Sequence, residues 1–172
     1  MAGSADPLGD DALDFWLGDW DVSWDTSVGR GVGRNRLTKV VGRRGVLERF
    51  EGVGPRGRRL HGMSLSIRDT ADGRWRQTWI DSSGSYLDLV GAEVDRRISF
   101  EREAVEDGKP VRYRMTWTDV TDDSLTWHWQ RTSDHGATWS DLWTIDYRRR
   151  PVPPRAATTR AGAARGTRRS AR

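Results

Sequence analysis

Three polar residues sit among apolar ones at spacings that suit a buried site. The run RWRQTWID carries Trp75, Gln77, Trp79 and Asp81 at every second position, and LHGMSLSIRD does the same for His61, Met63, Leu65 and Ile67. In an extended chain each set shares one face. An amide, a carboxylate and an imidazole between aromatic walls can orient a ligand, and the imidazole or carboxylate can exchange a proton with it. The same three groups bonded to one another would be an internal network of the wall. Asp81, at the end of its run, can equally stand in solvent. Glu48 in VLERFEG shares parity with Val46 and Phe50. One register makes it an interior carboxylate with a raised pKa, and the other exposes it. Arg131 continues the face of Trp127 and Trp129 near a strand end, where it would suit an anionic group.

Other chemistry is poorly represented. His128 stands between Trp127 and Trp129, so period two sends it outward if the indoles face in. His135 falls in the turn SDHGATW, which is similar to the Asp-box hairpin of sialidases; one copy is a turn signal and not a glycosidase. The sequence has no Ser-His-Asp order, no phosphate loop with its Lys-Ser or Lys-Thr helix, and no two-histidine metal spacing. Cysteine is absent, which removes thiol nucleophiles, thiolate metal sites and disulfides. Neither metal nor cofactor is expected.

The elements that position these residues are strands. In FWLGDWDVSW the tryptophans Trp16, Trp20 and Trp24 are four apart, a spacing that suits a helix and a strand equally. The alternation of Trp20, Val22 and Trp24 with Asp19, Asp21, Ser23 and Asp25 selects a half-buried strand. Trp16 lies beyond Gly18, in a short helix or turn that plugs one end. The alternation then recurs through about ten segments separated by turn signals such as TADG, SSG and EDGKP. Tyr113 and Trp117 share a face in VRYRMTW, as do Trp127 and Trp129 in LTWHWQR, and Trp143, Ile145 and Tyr147 near the end. Sequential hairpins without long crossovers predict an all-β, antiparallel, up-and-down barrel of about ten strands, whose closure removes both sheet edges.

Charge divides the chain. Nine of its 29 basic residues lie in 148–172, which contains no acid, leaving 20 basic against 25 acidic residues in the remainder. Residues 1–150 are expected to form the barrel and 151–172 a disordered, arginine-rich tail, too poor in apolar residues to offset its ordering entropy. Such a tail suits an anionic partner, RNA or a membrane surface, or is simply a solvated end. No nucleic-acid partner is expected for the body. No run approaches the roughly 18 apolar residues of a membrane span, and the acidic start lacks a secretory pattern; a cytoplasmic protein is expected.

LDFWLGDWDVSW, GMSLSIRDTADGRWRQTWIDSSG and SDHGATWSDLWTIDYRR resemble a bacterial family of unknown function related to calycin-like barrels, the lipocalins, fatty-acid-binding proteins and nitrobindins. The resemblance covers roughly residues 13–149, and Trp75, Gln77, Thr78, Trp79 and Asp81 carry most of it. It implies a barrel with a central cavity for a small hydrophobic or aromatic ligand. Two departures limit it. The Arg-x-Tyr of fatty-acid binders is missing, since the last strand reads IDYRRR. The late histidines His128 and His135 are poorly placed for the haem of nitrobindin-like members.

The expectation for function is therefore a small-molecule-binding barrel with an aromatic-lined cavity for an apolar or aromatic ligand. Trp20, Trp24, His61, Gln77, Trp79, Asp81, Tyr113, Trp117, Trp127 and Trp129 are the expected ligand-binding residues. A cofactor-free cyclase or isomerase acting in the same cavity, and a haem protein, are the alternatives. In the competing arrangement the seven inward indoles interlock and fill the barrel.

Overall fold

The structure is a computed structural model that describes residues 8–151. The tail from residue 152 onward, expected above to be disordered, lies outside the described residues. A 3-10 turn at Asp14–Trp16 leads into ten strands: β1 (Gly18–Thr26), β2 (Gly29–Val40), β3 (Gly45–Val53), β4 (Arg59–Arg68), β5 (Trp75–Asp81), β6 (Tyr86–Val94), β7 (Arg97–Glu106), β8 (Lys109–Thr118), β9 (Ser124–Thr132) and β10 (Ser140–Arg149). Each pairs antiparallel with the next, and β1 closes on β10. Closure pairs every strand on both sides, which satisfies its backbone hydrogen-bonding groups.

Alternation sets which side chains enter the barrel. In β1, Trp20, Val22 and Trp24 are buried while Asp19, Asp21 and Asp25 are exposed. Large rings inside need small residues opposite. A Cβ on Gly31 would lie 2.1 Å from the Trp24 indole, and one on Gly62 would lie 2.1 Å from Trp79. Neither position can carry a side chain while those indoles keep their place.

The end of the barrel near the 3-10 turn is solid. Trp16 packs on Trp117 with ring centroids 4.9 Å apart, and Phe15 and Phe100 meet the same Trp117 ring edge-on. The Trp20 indole N–H donates to the Trp16 carbonyl at 2.9 Å. Arg149 lays its guanidinium 4.0 Å from the Trp20 ring centroid and donates to the Leu17 carbonyl at 2.8 Å. The Trp75 indole N–H reaches the Leu8 and Gly9 carbonyls. Aromatic packing in these offset and edge-on geometries adds roughly 0.5–1.5 kcal/mol per pair beyond the area buried. The turn plugs the barrel with Trp16, as the sequence predicts.

One strand is turned over relative to expectation. His61, Met63 and Leu65 are on the outer face of β4, with Met63 40% and Leu65 48% exposed, while Ser64 and Ser66 are each 1% exposed. The inward set is Leu60, Gly62, Ser64 and Ser66. Its register explains the choice: Ser64 stands opposite Trp79 and Ser66 opposite Gln77 on β5. Two wide side chains on one strand leave room only for narrow ones on the next.

Candidate ligand-binding cavity

The other half of the barrel interior holds a cavity of about 200 Å³. Its walls are built strand by strand. β3 contributes Glu48 and Phe50, and β5 contributes Gln77, Trp79 and Asp81. β9 adds Trp127 and Trp129, β10 adds Trp143, Ile145 and Tyr147, and Leu60, Leu87, Leu89 and Met115 complete the apolar lining. Asp81 and Ser85 flank the β5–β6 turn at the end of the barrel opposite the 3-10 turn. The rings nearest that end, Trp79, Trp129 and Trp143, are half-buried. For comparison, an engineered apolar cavity of roughly 150 Å³ accepts benzene.

A connected polar patch forms the inner wall. Asn35 of β2 donates one amide hydrogen to Glu48 Oε1 at 2.7 Å and the other to the Tyr147 hydroxyl at 2.8 Å. The Ser64 hydroxyl donates to Glu48 Oε2 at 2.6 Å. Gln77 donates from Nε2 to Ser66 Oγ at 2.9 Å and to Ser64 Oγ at 3.4 Å. Four strands thus tie their inward polar groups to one carboxylate. Burial pushes the Glu48 carboxyl up to about 6, against the opposing pull of the Ser64 and Asn35 hydrogen bonds. Burial also pushes the Tyr147 phenol well above its ordinary value, and the Glu48 charge beside it adds to the rise.

Asp81 behaves differently. Burial alone would raise its pKa, but donors outweigh it: the Ser83 hydroxyl, the Trp79 indole, and the Ser83 and Ser85 backbone N–H groups hold it down at about 2. The Trp79 N–H to Asp81 Oδ2 distance is 3.0 Å. Asp81 therefore caps the β5–β6 turn and fixes the plane of one wall indole, while remaining ionised at the cavity mouth.

Of the ten expected ligand-binding residues, Gln77, Trp79, Asp81, Trp127 and Trp129 line the cavity. Trp20 and Trp117 point inward but fill the solid end. Trp24 packs on Phe50 and Trp143, behind the lining. Tyr113 stacks on Trp129 with centroids 5.4 Å apart and donates to Glu106, which also accepts from Arg131 at 2.6 Å. That pairing consumes Arg131 locally. His61 does not face the interior: it is exposed on the outer face, beside Asp21, Arg34, Glu51 and Arg148 in a surface groove.

Glu48 takes the interior register. Tyr147, Trp143 and Phe50 are lining residues that the expected set omits; their inward parity was legible, but their depth was not.

None of the three histidines lines the cavity, so the haem alternative loses the histidine ligand it relied on. His128 is outward, as parity requires. It bridges Thr118 Oγ1 at 2.9 Å and Asp141 Oδ1 at 3.1 Å. Those atoms are ordered like a hydroxyl–base–carboxylate relay, but none of the three residues lines the barrel cavity. The SDHGATW turn is held by Asp134, which accepts from the Thr132 and Thr138 hydroxyls.

No family model matches the sequence, and no curated protein matches it. Among solved structures, it is similar to a de novo designed fluorescence-activating β-barrel, with 15% identity, TM-score 0.45, and 83% of this chain and 99% of that chain covered. It is also similar to EF1p2_mFAP2b bound to DFHBI, with 13% identity, TM-score 0.42, and coverage of 82% and 98%. A third is the S-type phycobiliprotein lyase CPES from Guillardia theta, with 10% identity, TM-score 0.49, and coverage of 81% and 91%. These values concern barrel shape and say nothing of the cavity.

Proposed function

We propose that this protein is a small-molecule-binding barrel that takes a compact aromatic or apolar ligand, of one or two rings, into the cavity above Glu48 and Tyr147. The observation that carries this is the unfilled volume of about 200 Å³ inside an otherwise densely packed barrel. Protein interiors normally leave few voids larger than a water molecule. Here Phe50, Trp79, Trp127, Trp129 and Trp143 surround one, with their flat faces and edges available to a planar guest. Gln77, Glu48 and Tyr147 supply the few polar groups that fix orientation in such sites. Affiliation with calycin-like barrels belongs to the same proposal, supported by the ten-strand up-and-down closure.

A second reading has its own observation. Glu48, at about 6, is poised to accept or return a proton near neutral pH, and Tyr147 stands beside it on the same wall. That pair suits an isomerisation or cyclisation by proton transfer on a bound guest. Binding is common to both readings and comes first. A panel of one- and two-ring metabolites, followed by tryptophan fluorescence and thermal shift, tests it. At least one compound is expected to quench the wall indoles and raise the melting temperature in a saturable way. A panel with no saturable response contradicts the proposal.

A further inference from the structure

We infer that the cavity selects a protonated organic amine or amidine on an aromatic or aliphatic ring, with the nitrogen directed to Glu48. This rests on the ligand-binding reading above and names the class of ligand. Three observations on the lining carry it. First, the lining contains two carboxylates, Glu48 and Asp81, and no Lys, Arg or His. The inward-facing Arg131 and Arg102 both lie outside the lining: Arg131 is bonded to Glu106, and Arg102 stands opposite Tyr113 with its Nε buried. An anionic ligand would find no partner charge, whereas a cation would find two.

Second, the polar wall is rich in acceptors. Asn35 has committed both amide hydrogens, and Gln77 directs its own to Ser64 and Ser66. Each Glu48 oxygen accepts one hydrogen bond, from Asn35 or from Ser64, and retains a lone pair. Asn35 Oδ1, behind the lining residues, is buried and accepts nothing among the described residues. The Tyr147 and Ser66 hydroxyl hydrogens are the donors of this patch without an assigned acceptor among the described residues. A ligand that brings N–H donors matches this inventory. One that brings only acceptors leaves it unmet, at the desolvation cost of unpaired polar groups.

Third, four indoles and Phe50 surround the same space. Indole faces attract cations more strongly than other aromatic rings do, and the attraction grows where water is excluded. The carboxylates and the rings therefore favour the same ligand.

Tyr147, from β10, is the titratable group beside Glu48, and Asp81, from β5, lines the same cavity at its mouth; Asn35 and Ser64, from β2 and β4, do not titrate. Tyr147 titrates well above neutral and Asp81 near 2, so Glu48 alone changes charge between pH 5 and 8 on this surface.

The test uses the full chain and three probes of one size: benzylammonium, benzyl alcohol and benzoate, titrated by calorimetry at pH 7.5. Benzylammonium is expected to bind about tenfold tighter than benzyl alcohol, with benzoate weakest. Its affinity should fall as pH drops from 7.5 to 5 while that of benzyl alcohol stays level. Glu48→Gln, which preserves shape, should abolish the preference for the amine but keep alcohol binding. Should that variant not fold, the pH series on the unaltered chain carries the same information. Equal or tighter binding of alcohol or benzoate overturns the charge selection and leaves the ligand-binding reading standing. An amine preference that survives both Glu48→Gln and acidification overturns the assignment to Glu48. Failure of all three probes overturns both readings.

Discussion

Glu48 and Tyr147 hold the two hydrogens of one amide: Asn35 Nδ2 stands 2.7 Å from the carboxylate and 2.8 Å from the phenol oxygen. The carboxylate is buried, and its hydrogen bonds only partly repay the loss of water, so its pKa is raised from 4.5 to about 6. For an acid, a raised folded-state pKa means that folding favours the protonated form. The barrel is therefore penalised above pH 6, and the penalty disappears as pH falls to 4.5. The shift corresponds to about 2 kcal/mol. Glu48→Gln should raise stability at pH 7.5 by up to about that amount, and its advantage should shrink as pH falls from 6 to 4.5. Urea unfolding of both proteins across that range checks it. A loss of stability at pH 7.5 in the variant would show that the ionised carboxylate is net stabilising.

Arg149 is the clasp of the solid end. It covers the Trp20 ring and bonds the Leu17 carbonyl, so it holds the last strand against the first turn. Arg149→Ala should cost about 2 kcal/mol, the sum expected from a charge-assisted hydrogen bond and a shielded cation–π contact. Arg148→Ala, one residue away on the exposed face, should change stability by less than about 0.5 kcal/mol. Equal effects in chemical denaturation would contradict the clasp.

Gly62 leaves the space that Trp79 occupies. Gly62→Ala places a methyl group 2.1 Å from the indole. It should cost about 1–3 kcal/mol by overpacking and displace a cavity wall, shifting tryptophan emission. Met63→Ala, on the outer face, should do neither. His61→Ala should likewise leave stability and ligand binding unchanged. A loss of binding in the His61 variant would restore the role that its outward placement denies it.

The barrel was legible because period-two alternation and turn signals repeat along the chain, and strand number, order and the plugging turn all follow from them. The face of β4 was not. Met63, Leu65 and Ile67 outscore Gly62, Ser64 and Ser66 in hydrophobicity, but the interior beside Trp79 and Gln77 needs narrow residues that serve Glu48. A cross-strand size argument from the two indoles of β5 would have found this. Depth was the second gap. Parity places Trp20, Trp117 and Trp129 inside equally, and only the distance of each from the 3-10 turn separates filling from lining. Glu48 was ambiguous because a lone carboxylate in an alternating strand reads the same in either register until Asn35 and Ser64 arrive from neighbouring strands.

Whether the void is a binding site decides the function of this barrel. Leu89 lines it, and Leu89→Phe would occupy part of its volume of about 200 Å³ without adding a polar group. Calorimetric titration of the unaltered chain and of Leu89→Phe with the best compound of the ring panel is the most direct measurement. Binding to the unaltered chain with a Kd tighter than about 1 mM, and at least tenfold weaker binding to a folded Leu89→Phe, is the predicted result. Equal affinity for the two proteins, or heat from neither, would contradict it.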